Sequence, residues 1–352
     1  MEPPPFLLTT LPTFATLSQA MELRPKVTNS DLQQLVHKQA DFIISQQLLS
    51  GAIPWYRGSI TDPWDHVECA IALDFAGRFA EAVKAYNWSR HTQNPDGSWY
   101  SSYPQRRLDD QTKDTNFTSY IATGIWFHYL ATKDTGFLRQ MWPMVEKAID
   151  FALSLQQPTG EIFWAISPAG KSWPGAMLTA SSCTWHSIRN GINIAKTLGI
   201  NKSNWEEAGN RLLRAMREHP ELFDKMNENK RRYAMNWFYP VLTGVLNGKA
   251  AKERIDAEWN SFVIENWGCR VALDEDTTAV AETCELIIAL THIGEHSKAR
   301  TLLDWTLKLW DDKPGFCRGI KLPEKVPCPP DEERATWTSA ALILAIAALS
   351  KA

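Results

Sequence analysis

No stretch of the sequence shows the strict alternation of apolar and polar residues that marks a half-buried strand. Nor is there a long run of one charge. Lys and Arg number 37 against 40 Asp and Glu, a formal net charge of −3 over 352 residues, so nucleic acid and anionic membrane surfaces are poor partners. The six cysteines form no CxxC pair and no small-domain framework, which suits free thiols in a reducing compartment. No His/Cys set has zinc spacing. The longest apolar run, AALILAIAAL near the C-terminus, is too short to span a bilayer. The opening MEPPPFLLTTLPTF lacks a basic region and is broken by prolines, so residues 1–28 read as a tail or strap over the surface. The expectation is a soluble, cytoplasmic protein with no metal, no cofactor and no membrane segment.

What is present is helical periodicity. Apolar residues recur with a period near 3.6 in twelve segments, at 30–48, 63–75, 78–92, 115–132, 137–156, 180–199, 203–217, 235–247, 249–263, 277–294, 296–311 and 335–350. Ser30, Asp62 ahead of Pro63, Asp114, Asn204 and Asp276 stand where helices should be capped, and Gly77, Gly199 and Gly294 where they should stop. The even-numbered segments are apolar nearly all round, while the odd-numbered ones carry a charged face. Six buried helices alternating with six half-exposed ones predict an all-α fold, a single (α/α)6 barrel with inner and outer rings over 29–352. Sixteen tryptophans supply either a large core or the walls of an apolar or carbohydrate pocket.

A local pattern repeats after the outer helices. QLLSGAIPW, QNPDGSW and QQPTGEIFW each place a Gln at a helix end, a Gly four residues on, and an apolar plug two residues after that: Gln47, Gly51, Ile53; Gln93, Gly97, Trp99; Gln156, Gly160, Ile162. The Gln amide can satisfy orphan carbonyls at a helix end while the plug packs back on the neighbouring hairpin. This Q-x3-G-x-W pattern resembles the QW repeat of the triterpene cyclase and prenyltransferase-like α/α barrels. With room for one barrel, the chain is similar to the single-domain class II cyclases that fold prenylated aromatic acids. That resemblance implies metal-free, proton-initiated cyclisation of a farnesyl or geranylgeranyl group on a dihydroxybenzoic acid, giving a polycyclic meroterpenoid.

Inner helices that all run the same way bring their starts to one mouth, where DPWDHVE, KDTNFTSY, ASSCTWHS, NWFYPV, DEDTTAVAE and ERATWTSA would meet. The acidic run RRLDDQTKDTNF misses the magnesium-binding DDxxD by one residue, and its partner motif is absent. Asp114 reads as a helix cap. Asp109 and Asp110 remain as a solvated loop or as the proton source, because adjacent carboxylates beside an apolar wall keep one of them protonated. The family's DxDD motif is not matched, and Asp276 in DEDTTAV competes for the same role. His66, and likewise His186, either is a satisfied structural histidine or assists the acid. Trp64, Trp185, Trp237, Tyr239 and Trp337 are expected to pack the rim or to face a cationic intermediate. Arg106, Arg107 and Arg189 are candidates for holding the aromatic carboxylate.

A second reading is an (α/α)6 glycoside hydrolase or lyase. Tryptophan faces would then stack sugars, and two carboxylates among Asp65, Glu68, Asp109 and Glu282 would act as acid and base. The QW-like turns and the apolar middles of the inner helices favour the cyclase.

Overall fold

The computed structural model describes residues 29–103, 110–225, 229–328 and 334–350. Residues 1–28, and with them the expected tail, lie outside that set.

Twelve α-helices follow in chain order. They are α1 (Asn29–Gln46), α2 (Pro63–Phe75), α3 (Phe79–Thr92), α4 in two segments (Thr115–Ser119 and Ile121–Thr132), α5 (Thr135–Ser154), α6 (Leu178–Leu198), α7 (Ser203–Glu218), α8 (Ala234–Leu242), α9 (Gly248–Phe262), α10 (Val280–His292), α11 (His296–Leu307) and α12 (Thr336–Leu349). The even-numbered helices pack each on the next, and α12 closes the ring against α2. The odd-numbered helices cover them from outside, so the expected (α/α)6 barrel is the fold. The most apolar helix, α12, has its polar residues confined to the first turn, as burial on every side requires.

Several boundaries follow from residues the sequence displays. Asp62 caps α2 by accepting from the Asp65 N–H, with Pro63 in the first turn, where a missing N–H costs nothing. Asp114 caps α4 by accepting from Asn116 N and Phe117 N, at 2.7 and 3.0 Å. Gly77, Gly199 and Gly294 follow α2, α6 and α10 at φ between 73° and 78°. Asp276 is not a cap. Residues 277–279 pair instead as a strand, and α10 starts only at Val280. The helix expected over 235–247 stops at Leu242, before Gly244 at φ 80°.

The strands escaped sequence reading because none exceeds three residues. β1 (Lys113–Asp114), β2 (Ala165–Ile166) and β3 (Ser172–Trp173) form one antiparallel sheet. β4 (Val263–Ile264), β5 (Gly268–Arg270), β6 (Thr277–Ala279), β7 (Gly319–Lys321) and β8 (Val326–Pro327) form another in that order. Strands β1 and β6 lead directly into α4 and α10. Both sheets therefore build up the mouth at which the inner helices begin.

The repeated glutamines do one job three times. Gln47 Nε2 donates to Gly51 O and Glu81 O, each at 3.0 Å. Gln93 donates to Gly97 O and Met144 O, and Gln156 to Gly160 O and Ala208 O, all at 2.9 Å. Each amide ties its own turn to a carbonyl of the next outer helix, joining α1 to α3, α3 to α5 and α5 to α7. The glycine is required there: at Gly97 φ is 91° and an added Cβ would lie 2.4 Å from Lys147 O. Between α9 and α11 the connections are ionic, Lys252 with Glu295 and Lys298 with Asp256, the latter at 2.7 Å. Gln93→Ala is expected to lower stability by about 1–3 kcal/mol, because it leaves two carbonyls without their donor. Chemical denaturation of the purified variant measures this, and an unchanged midpoint would refute the staple.

Candidate active site

Five carboxyl groups gather at the mouth on two inner helices. Asp62, Asp65 and Glu68 are spaced three apart at the start of α2, and Glu282 and Glu285 three apart at the start of α10. Three-residue spacing puts each set on one helix face. The two helices do not adjoin in the ring, since α12 packs between them.

The proton distribution follows from burial and donors. Burial first, then the negative charges of Asp62 and Glu68, a hydrogen bond with Asp62 and the charge of Glu285 hold the Asp65 carboxyl well above the usual carboxylate range. Burial raises Asp62 too, but it accepts from Asp65 N at 2.9 Å and from Trp55 Nε1 at 2.6 Å. Those donors favour its anion, so Asp65 is the more readily protonated of the pair. Glu68 is raised by burial and by Asp62, against the opposing indole N–H of Trp64. Glu285 is raised further, by burial and by Glu68, although the Tyr239 hydroxyl donates to it. Glu282 is raised by burial, opposed by a backbone hydrogen bond and by the charge of Arg318. Its Oε2 is buried with no hydrogen-bond partner among the described residues. The Arg318 guanidinium lies 5.8 Å from the ring centre of Trp337.

Below this group a cavity of about 500 Å³ runs down the barrel axis. It extends from Trp64, Tyr120 and Tyr239 near the mouth to Phe75, His292 and Ala348 where the inner helices end. Trp64 organises its upper wall, with ring centres 5.7 Å from Phe117 and Tyr120 and 5.8 Å from Tyr239. Glu68 and Glu285 reach into it.

Residues singled out in the sequence are dispersed by the fold. Asp109, Arg106 and Arg107 lie outside the described residues. Asp110 is exposed, its Oδ1 accepting from Thr112 N at 2.8 Å in a local turn. Asp274 and Asp276 are engaged on the surface by Arg232 and Arg270. His66 is fully buried and faces the outer layer: Nδ1 accepts from Ile53 N at 3.1 Å and Nε2 donates to Ala85 O at 3.0 Å. Burial holds its pKa down at about 4, so the ring is neutral near pH 7. His186 lines the cavity and is also held down at about 4, by burial and then by Arg189 and His292. Trp237 turns away from the axis, stacked 5.2 Å from Phe262 with its indole donating to Arg254 O. Trp185 is buried beneath Arg189, 4.9 Å from its ring centre. Trp64 and Tyr239 face the cavity, and Trp337 sits at the mouth beside Arg318.

Asp65, Glu68 and Glu282 appear in the sequence reading only within its second interpretation, and Glu285 not at all. The signal was there: a carboxyl three residues below another, inside a helix otherwise apolar all round, has no structural use.

Barrel and mouth together place the protein in the (α/α) fold of glycosidases. The chain superposes on a glycosidase in complex with glucose with a TM-score of 0.72 at 12% identity, covering 90% of this chain and 96% of that one. It superposes on a D-mannose isomerase with a TM-score of 0.70 at 10% identity, covering 92% and 97%. No family model matches the chain. It is, however, 43% identical over 312 residues to the MMP endo-(1,4)-3-O-methyl-alpha-D-mannosidase of Mycolicibacterium hassiacum, across 89% of this chain and 85% of that protein. The chain belongs to that family.

This overturns the terpene-cyclase resemblance, and with it the cyclisation reaction and the prenylated aromatic substrate. The Q-x3-G-x-(W/I) turn is a way of fastening outer helices, so it reports the barrel and not the reaction. The glycosidase reading, placed second from sequence, is the one the family supports. Among the described residues no helix is long and apolar enough to cross a membrane.

His66→Ala is expected to cost about 2–4 kcal/mol, since the buried Ile53 N–H loses its acceptor and a cavity opens. Thermal unfolding checks this. A variant as stable as the parent would show that the ring is not the tie between α2, the Ile53 turn and α3.

Proposed function

We propose that this protein is an endo-acting glycoside hydrolase that cleaves α-(1,4) bonds in chains of 3-O-methylated mannose, as the name of its 43%-identical relative describes for that protein. The observation that carries the chemistry is the Asp62–Asp65 pair, in which an anion and burial keep a neighbouring carboxyl protonated. Glycosidic oxygen is a poor leaving group until a proton reaches it, and a carboxylic acid that is still neutral near pH 7 can supply one.

In this reading Asp65 is the general acid. It protonates the bridging oxygen as the bond from C1 breaks, and its charge then joins that of Asp62. Glu282 is the general base. Its unpartnered Oε2 takes a proton from a water whose oxygen forms the new bond to C1. Arg318 favours the Glu282 anion before the reaction, as the base role demands. Glu285, held by Tyr239, and Glu68, beneath Trp64, line the top of the cavity beside the forming oxocarbenium centre. The sugar at the cleavage point enters the top of the cavity against Trp64 and Tyr239, where an aromatic face suits the apolar face of a pyranose and its methyl ether. The helix α12 stands between the two carboxyl-bearing helices, in keeping with the wider carboxyl spacing of inverting enzymes, so inversion at C1 is expected.

Asp65→Asn and Glu282→Gln should each lower kcat by about 10²- to 10⁴-fold on methylmannose oligosaccharides while the variants remain folded. Full activity in either removes that residue from its role. The pH profile has a defined sense. Activity rises as Glu282 loses its proton and falls as Asp65 loses its own, and both groups are shifted upward. Both limbs of kcat/KM should therefore lie at higher pH than ordinary carboxylates give, and Asp65→Asn should abolish the alkaline limb in what activity remains. Release of shorter methylmannose chains from a defined oligosaccharide, followed by mass spectrometry, tests the substrate class. Intact substrate after prolonged incubation would refute it.

A further inference from the structure

The β2–β3 hairpin at the mouth carries a feature that neither the core nor the carboxyl group requires. Between Ile166 and Ser172 the chain turns through Pro168, Ala169 and Gly170, all exposed, and returns with Trp173 on the outer strand. Trp173 is 40% exposed, one of few large apolar side chains left in solvent. It meets Trp164 edge to face, with ring centres 4.7 Å apart and planes at 64°. Trp164 is held in place by its backbone: its carbonyl accepts from Thr115 N at 2.9 Å and Thr115 Oγ1 at 3.0 Å, and its N–H donates to Gly175 O at 3.0 Å. Its indole Nε1, by contrast, is buried with no acceptor among the described residues. A buried indole N–H without a partner is uncommon.

The pair stands beside the carboxyl site. Asp114, the cap of α4, pairs in register with Ala165, and Ala165 with Trp173. One turn into α4, Phe117 packs on Trp64, the residue before Asp65. The first turn of α4 thus separates the tryptophan pair from the carboxyls.

We propose that Trp173 and Trp164 form an outer sugar subsite, which stacks a pyranose unit of the substrate chain other than those joined by the bond being cleaved. The exposed Trp173 face supplies the platform, and the Trp164 ring, meeting it at 64°, fixes its tilt. A chain that crosses the mouth to be cut internally must lie over its rim, and this platform is an exposed aromatic face on the β1–β3 side of it. The inference rests on the proposed endo-hydrolase function and deepens it: the enzyme should discriminate by chain length, through Trp173.

The test compares kcat/KM for synthetic 3-O-methylmannose oligosaccharides from the shortest cleaved chain upward, in the parent, W173A and W173F. In the parent kcat/KM should climb once the chain is long enough to reach the rim. W173A should lose about five- to tenfold on long chains only, the loss expected for one aromatic stacking partner, and W173F should recover most of it. An equal loss at every length, or an unchanged length dependence, overturns the subsite and leaves the proposed hydrolase standing. If the parent cleaves no length, the functional reading fails first, and tryptophan fluorescence titrated with the same oligosaccharides decides the subsite. A saturable change lost in W173A supports it, and its absence in the parent overturns it.

Discussion

Closure of six inner helices into one ring is the constraint on which the molecule depends. Once α12 packs against α2, every inner helix must start at the same end, and whatever polar residues those starts carry are forced together. Burial there raises several carboxyls above their ordinary range, while the first turns offer N–H groups that oppose the rise at selected ones. Asp62 receives such donors and Asp65 does not, so of two aspartates three residues apart Asp65 is held further above the ordinary carboxylate range. The chemistry proposed for the mouth is a by-product of how the ring is closed.

Much of the fold was legible in the sequence. The alternation of wholly apolar and half-charged helices gave the two rings, because burial on all sides and burial on one side leave different patterns. Asp62 and Asp114 announced helix starts through short side chains that reach only their own first turn. The three glutamine turns were visible as a repeat because each recurs in the same relation to the outer layer. What escaped were features set by long-range pairing: strands of two or three residues have no periodicity to detect, and α10 starts at Val280 only because residues 277–279 are drawn into a ladder with β7.

The acids singled out in the sequence are not the ones the fold is seen to bury, and the reason is physical. Asp109 and Asp110 drew attention as adjacent acids, but adjacency in a loop says nothing about burial, and Asp110 is exposed. Asp65, Glu68, Glu282 and Glu285 are less conspicuous in sequence, spaced by three among apolar residues, yet that spacing on a buried helix is what makes a carboxyl perturbed. His66, beside Asp65 in the chain, points the opposite way because successive helical residues diverge by about 100°. The turn shared with cyclases tracked the architecture, and function had to be sought in the side chains the architecture exposes to its own interior.

The outer ring is fastened in two different ways. From α1 to α7 neutral amides reach backbone carbonyls across glycine turns, alongside the ion pairs Arg78–Asp41 and Lys202–Glu146, whereas α9 and α11 are linked by lysine–carboxylate pairs at the surface. Dissolved ions weaken the second kind of joint and barely touch the first. The barrel therefore has a grain: one arc that keeps a neutral fastening whatever the salt around it, and another that leans on joints which answer to that salt. That responsive arc lies behind α10, the helix that carries Glu282 and Glu285.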